Sequence, residues 1–125
     1  MSEEEKAEKI VIFATHGPED PERASLPFVM GNAALALDTK ATVILQGAGV
    51  ILATKSCYDH VFAAGLPPLK ELVDTFIELG GRIFVCGPCI KERKITTELL
   101  VDKAEVSASG KVVMEALGAD AVLNY

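Results

Sequence analysis

The residues best suited to chemistry in this sequence are two cysteines three positions apart. Cys86 and Cys89 lie in the segment IFVCGPCIKERK, residues 83–94. Gly87 permits a tight bend after the apolar run that ends at Cys86, and Pro88 suits the first turn of a helix. Backbone N–H groups at a helix start favour a thiolate, so we expect a lowered pKa for Cys86. A thiolate attacks sulfur, which makes Cys86 the predicted nucleophile.

The other cysteines and the two histidines leave alternatives open. Cys89 falls within the first helical turn, where it resolves a disulfide with Cys86 or is simply a small residue facing the sheet. Cys57 lies in a poorly patterned segment, and we interpret it as structural or incidental. One CxxC pair supplies two zinc ligands, and Cys57, His16 or His60 would have to complete the set. No second pair has ligand spacing, so we expect no metal site and no cofactor.

Strand-like and helix-like segments alternate along the chain. The pattern predicts strands at 9–15, 41–46, 82–86, 104–109 and 119–125, with helices between them. This alternation is typical of a doubly wound α/β domain with a five-stranded parallel sheet and three αβα layers. Asp20 and Pro21 are the predicted cap and first residue of the first helix. That helix is apolar most of the way round, so we expect it to pack on the sheet and on a second element or subunit.

Ligands of such sheets bind beyond the carboxyl ends of the strands. The predicted crevice and site residues are His16, Gln46, Gly47, Cys86, Gly87, Cys89 and Arg93. His16 orients a substrate or shuttles a proton, or is only a polar residue at a strand end. Gly47 and Gly49 lack the third glycine of a phosphate loop, so a tight turn is the favoured interpretation.

Composition restricts the classes of partner. The chain has 125 residues and a formal net charge of −6. This charge argues against binding to nucleic acid or to an anionic membrane, because both require clustered Lys and Arg. We predict a flexible acidic tail at residues 1–8, one domain at residues 9–125, and neither a signal peptide nor a membrane span. Three cysteines without an export signal favour reduced thiols and a cytoplasmic location.

The tetrapeptide Cys86-Gly87-Pro88-Cys89 is identical to the redox motif of thioredoxin, but its context differs. In thioredoxin the motif follows an early strand, an aromatic residue usually precedes it, and a later cis-proline faces it. Here two complete βα units come first, Val85 precedes the motif, and the sequence has no proline after Pro88. The chain is therefore not predicted to be a thioredoxin.

A different resemblance covers most of the chain, from about residue 9 to residue 125. It is carried by four stretches in order: PERASLPFVMGNAALALD, ATVILQGAGVILATK, GGRIFVCGPCIKERKI and GADAVLNY. In these the chain resembles the DsrE-like family of small sulfur-relay proteins. Family members often have a cysteine at the end of the third strand, followed by Arg-Gly-Ile. Here Arg93-Lys94-Ile95 stands in that place, with Lys94 where glycine is common.

The resemblance implies a flavodoxin-like five-stranded parallel sheet, a homo-oligomer that is often a trimer or hexamer, and a persulfide carried at the position of Cys86. Our leading hypothesis is accordingly a sulfur carrier or sulfurtransferase with protein sulfur donors and acceptors. One alternative is a thiol–disulfide redox or redox-sensing protein using Cys86 and Cys89. Another is a binding or assembly module without catalysis, because family membership alone does not establish an activity.

Overall fold

A computed structural model describes residues 7–125 of the chain, so most of the predicted acidic tail (residues 1–6) lies outside the described residues. The strands are β1 Lys9–Ala14, β2 Lys40–Leu45, β3 Arg82–Cys86, β4 Ala104–Ser107 and β5 Ala121–Asn124. The α-helices are α1 Pro21–Ala36, α2 Leu69–Glu78, α3 Gly87–Glu92 and α4 Ser109–Leu117. Short 3₁₀ helices span Gly47–Ala53, Tyr58–His60 and Thr97–Leu99.

The five strands form one parallel sheet in the order β4-β3-β2-β1-β5. The predicted five-stranded parallel sheet is confirmed. Its strand order differs from the 2-1-3-4-5 order of flavodoxin itself. The chain moves one strand at a time from β1 to β4 and then returns to pair β5 with β1. Right-handed crossovers therefore place α1, α2 and α3 on one face and α4 on the other, which gives the predicted three layers.

The larger part of the core lies between one face of the sheet and helices α1 and α2. The Phe28 and Phe76 rings meet edge to face, with centroids 5.6 Å apart and planes at 83°. Helix α1 approaches this contact closely, since a Cβ added to Gly31 would lie 2.6 Å from the Phe76 ring. The second partner expected for α1 is thus α2 of the same chain.

A smaller core lies on the opposite face under α4. It contains Val11, Ile44 and Phe84 of the strands and Val112 of the helix. The outer surface of α4 leaves three large apolar side chains exposed: Val113, Met114 and Leu117. Within residues 7–125, every helix falls short of the length and apolar character that crossing a membrane requires.

Several predicted boundaries need correction. Strands β1 and β2 each end one residue earlier than predicted, and β4 ends at Ser107 because α4 already begins at Ser109. Residues 47–53, predicted as a glycine turn leading into an irregular segment, form a 3₁₀ helix. The cap of α1 is as predicted: the Arg23 N–H donates to Asp20 Oδ1 at 3.1 Å, and Pro21 is the first helical residue.

Candidate functional site

The strand register brings one residue from each of four strand ends to the carboxyl edge of the sheet. Cys86 of β3 pairs with Ser107 of β4, and the register of β2 places Gln46 beside Cys86 on the other side. The register of β1 with β2 continues the row to Thr15. Ser107 was missed by the sequence analysis because the pattern of β4 is weak. It is buried, and its hydroxyl donates to the Glu105 carbonyl at 3.4 Å.

The Cys89 sulfur joins helix α3 to the loop that follows β2. The backbone N–H of Gly47 donates to Cys89 Sγ at an N–S distance of 3.3 Å. One turn later, Arg93 Nη1 donates to the carbonyl of Cys89 at 3.2 Å. Both residues, Cys86 and Cys89, are half-buried. The structure therefore places six predicted residues in one region, namely Gln46, Gly47, Cys86, Gly87, Cys89 and Arg93.

The glycines after β2 serve a close approach of backbone to backbone. Gly47 has a φ of +55°, in the left-handed region that favours glycine. A Cβ on Gly49 would lie 2.2 Å from the Ala14 carbonyl oxygen, and one on Gly17 would lie 2.5 Å from that of Ala48. The loop after β2 is clamped against the end of β1 by these contacts, as the tight-turn interpretation expects.

His16 lies at the same edge of the sheet but is set apart from the thiols. Its Nδ1 is 3.5 Å from Thr15 Oγ1, which itself donates to the Tyr125 carbonyl at 3.0 Å. Two strand spacings, about 10 Å, separate β1 from β3. Among residues 7–125, no hydrogen bond links His16 to Cys86 or Cys89. A role for His16 stays a prediction.

The expected lowering of the Cys86 pKa is wrong. Burial raises the pKa of the Cys86 thiol and the neighbouring Cys89 thiol raises it further, while the Cys89 amide and the Arg93 charge lower it only in part. Cys86 is the N-cap of α3, but α3 has only six residues and therefore a small dipole. The helix therefore offers too little to outweigh desolvation.

Helix α3 ends in a turn that contains a residue in the left-handed conformation, which favours glycine. Lys94 has a φ of +57°, which side-chain-bearing residues adopt at a cost. The Ile95 N–H bonds the Ile90 carbonyl at 2.9 Å and the Lys94 N–H bonds that of Lys91 at 3.1 Å. These two bonds form a Schellman motif. Lys94 keeps the turn that glycine would form more easily.

Cys57 belongs to a different part of the molecule. It precedes the 3₁₀ helix Tyr58–His60 and packs against the larger core. Burial, and then the charge of Asp59, raise the pKa of the Cys57 thiol. Across residues 7–125, no group of three or more His, Cys, Asp or Glu side chains is arranged to hold a metal ion.

A surface cavity of about 520 Å³ lies beside α2 and contains none of the predicted site residues. Three of its polar side chains bond to one another. Asp74 accepts from Lys70 Nζ at 2.6 Å and from the Tyr58 hydroxyl at 3.3 Å. The thiol region is the better candidate for a chemical site, because reactive groups, and not volume, define such a site.

Fold and site together define a parallel α/β protein with a pair of thiols at the carboxyl edge of its sheet. The chain belongs to the DsrE/DsrF-like family, whose model matches residues 8–125.

Two relatives come from Methanocaldococcus jannaschii, and both are described as uncharacterized. MJ0760 is 30% identical over 120 residues, which are 96% of this chain and 40% of MJ0760. The chain therefore spans well under half of that relative. MJ0989 is 27% identical over 117 residues, covering 94% of this chain and 99% of MJ0989.

Two solved structures share the fold. The ychN protein from E. coli has a TM-score of 0.74 at 18% identity, covering 94% of this chain and 99% of that one. MTH1491 from Methanobacterium thermoautotrophicum, a protein of unknown function, has a TM-score of 0.74 at 15% identity with the same coverage. At these identities the likeness concerns the fold alone.

Proposed function

We propose that this protein is a small cytoplasmic sulfur carrier of the sulfurtransferase type, which holds a persulfide on Cys86. The observation that carries the proposal is the half-buried Cys86 thiol at the carboxyl edge of the sheet, next to a second thiol held by a backbone amide. Membership of the DsrE/DsrF-like family supports it. The partners are donor and acceptor proteins.

Loading is an exchange at sulfur. The Cys86 thiolate attacks the outer sulfur of a donor persulfide, and a new S–S bond forms on Cys86 as the donor's S–S bond breaks. The donor leaves as a thiolate and takes up the proton that Cys86 has lost. No net oxidation occurs, and delivery to an acceptor thiol is the same exchange in the other direction.

The raised pKa of Cys86 is consistent with a carrier whose thiol stays unreactive until a donor protein binds. A thiol that stays protonated near neutral pH reacts slowly with small oxidants and alkylating agents. Its thiolate, when formed, is an intrinsically stronger nucleophile than one of low pKa. Loading is therefore expected to become faster as the pH rises.

The test uses a low-molecular-weight persulfide donor and the intact mass of the protein. Cys89→Ser keeps Cys86 as the acceptor and is expected to gain the mass of one sulfur atom. Adding Cys57→Ser to it is the matched control and is expected to load equally. Cys86→Ser is expected to gain nothing, and a sulfur retained by Cys86→Ser would refute the assignment.

The neighbouring thiols also favour a second candidate, a thiol–disulfide redox protein using Cys86 and Cys89. It predicts a reversible loss of two hydrogens and a measurable reduction potential, without uptake of sulfur by Cys89→Ser. A binding or assembly module is the third candidate. It predicts an iodoacetamide rate at each cysteine close to that of free cysteine.

The carrier is proposed to be a homo-oligomer, trimeric or hexameric, as the family resemblance implies. The exposed apolar side chains Val113, Met114 and Leu117 of α4 support self-association, because contiguous exposed apolar surface favours protein contacts. Sedimentation equilibrium measures the subunit number, and a monomer at all concentrations would contradict this part of the proposal. The net charge of −6 argues against nucleic acid and anionic membranes as partners.

A further inference from the structure

The position of the Cys89 sulfur is fixed by backbone rather than by flexible side chains. It accepts the Gly47 N–H at 3.3 Å. Gly47 belongs to the loop clamped against β1, where Gly49 has no room for a Cβ beside the Ala14 carbonyl. The Cys89 carbonyl is in turn held by Arg93 Nη1 at 3.2 Å. Both the sulfur and the carbonyl oxygen of Cys89 are therefore held by hydrogen bonds.

The anchoring keeps the second sulfur next to the first. Cys86 ends β3 and immediately precedes α3, and Cys89 is the third residue of that helix. The Cys89 thiol lies close enough to Cys86 to raise the pKa of the Cys86 thiol. A backbone donor aimed at Cys89 Sγ also faces any negative charge that develops on this sulfur during thiol exchange.

We propose, resting on the carrier function above, that Cys89 discharges the Cys86 persulfide as sulfide. The Cys89 sulfur attacks Cys86 Sγ, a Cys86–Cys89 disulfide forms, and the bond from Cys86 Sγ to the outer sulfur breaks. The outer sulfur leaves as hydrosulfide and takes up the proton lost by Cys89. A low-molecular-weight thiol or a dithiol reductant then reduces the disulfide and restores both thiols.

Cys89 thereby sets the lifetime of the loaded state. When an acceptor thiol reaches Cys86 first, the sulfur is delivered. When none arrives, the sulfur leaves as sulfide and the site closes as a disulfide. The carrier thus avoids keeping a reactive persulfide exposed at the edge of the sheet.

The test measures sulfide release and intact mass after loading with a persulfide donor that is then removed, with no external thiol present. Wild type is expected to release one equivalent of sulfide and to lose two hydrogens. Cys89→Ser keeps an oxygen acceptor for the Gly47 N–H, so it is expected to keep the sulfur and to lose sulfide release. Cys89→Ala is expected to behave alike, and Cys57→Ser like wild type.

Each other outcome overturns the inference. A wild type that keeps its sulfur as long as Cys89→Ser does would exclude discharge by Cys89 and leave the carrier function standing. Loss of sulfide release in Cys57→Ser would assign discharge to Cys57. Failure of both wild type and Cys89→Ser to acquire sulfur, with circular dichroism unchanged, would remove the carrier function and the inference together.

Discussion

At the scale of single residues, the ionisation of Cys86 is a balance between burial and nearby charge. Burial and the Cys89 thiol raise its pKa, and the charge of Arg93 lowers it. Replacing Arg93 with Gln removes a stabiliser of the thiolate, so the pKa of Cys86 is expected to rise further. Cys89→Ser removes a group that raises it, so the pKa is expected to fall. The rate of iodoacetamide alkylation at Cys86 against pH, read by peptide mass spectrometry, measures both shifts.

The matched control for these variants is Lys91→Gln, which removes a neighbouring cation that is not a cause of the Cys86 shift. It is expected to leave the pKa of Cys86 unchanged. A Cys86 pKa in wild type well below the ordinary cysteine value of about 8.5 would contradict the balance described here.

The sequence could predict which residues meet at the site but not how they ionise. Strand ends in a parallel sheet share one edge, so Gln46, Gly47 and Cys86 could be grouped without coordinates. The direction of the Cys86 pKa depends on burial and on the six-residue length of α3, and neither is visible in a motif. The neighbour Ser107 was missed because the sequence pattern of its strand, β4, is weak.

At the scale of secondary structure, Lys94 at the end of α3 has an unfavourable backbone conformation. Its φ of +57° is a left-handed conformation that glycine adopts readily. Lys94→Gly is expected to raise the free energy of unfolding by about 0.5 to 1 kcal/mol. Lys91→Gly, inside the same helix, is expected to lower it by about 1 kcal/mol. Urea denaturation measures both, and equal destabilisation by the two variants would contradict the assignment.

The contact between α1 and α2 depends on a missing side chain. A Cβ at Gly31 would lie 2.6 Å from the Phe76 ring, so Gly31→Ala forces the helices apart. We expect it to lower the free energy of unfolding by about 1 to 3 kcal/mol. Gly110→Ala in α4 meets no atom within 4 Å and is the control. It is expected to be neutral or to stabilise by up to about 1 kcal/mol in thermal or urea unfolding. A larger loss of unfolding free energy in Gly110→Ala than in Gly31→Ala would refute this packing.

The elements themselves were largely predictable because their signals are local. Asp20 and Pro21 indicate the start of α1, and the spacing of apolar residues predicts α2. The 3₁₀ helix Gly47–Ala53 was not predicted, since it rests on contacts of its glycines with the end of β1 and has no sequence period of its own. Because α1 is apolar most of the way round, the sequence predicted that it packs on the sheet and on a second element. The structure identifies that second element as α2.

At the scale of the whole molecule, alternation of strand and helix determines a parallel sheet but not the order of its strands. Hydrophobic periodicity indicates which face of a helix or strand is buried. The central strands of a parallel sheet are buried on both faces whatever the strand order, so periodicity does not distinguish one order from another. Within residues 7–125, the order β4-β3-β2-β1-β5 puts α1, α2 and α3 on one face of the sheet and α4 on the other. The sequence therefore could not predict which helix would stand alone.

The attachment of α4 is strengthened by a partly buried charge network, which makes stability depend on acid. Burial raises the pKa of Glu115, but hydrogen bonds from Lys9 and Thr42 and the charge of Arg82 outweigh it, and the pKa is lowered. A carboxyl whose folded pKa is lowered stabilises above its unfolded pKa of about 4.3, and this stability is lost as the pH falls through the folded pKa.

We therefore expect the free energy of unfolding to fall between pH 7 and pH 3, and to fall less in Glu115→Gln than in wild type. Glu71→Gln, on the exposed first turn of α2, is the control and is expected to follow wild type. Urea titrations at several pH values supply the measurement. An identical pH dependence for Glu115→Gln and wild type would show that the network contributes nothing.

If the protein is a sulfur carrier, an acquired sulfur atom resides on Cys86, so the position of that atom is the decisive measurement. Cys89→Ser is loaded with a persulfide donor, its free thiols are blocked, and the proteolytic peptide spanning residues 83–91 is fragmented in a mass spectrometer. We expect the added sulfur on Cys86, at up to one atom per chain. Sulfur found on Cys57, or none on any cysteine, would contradict it.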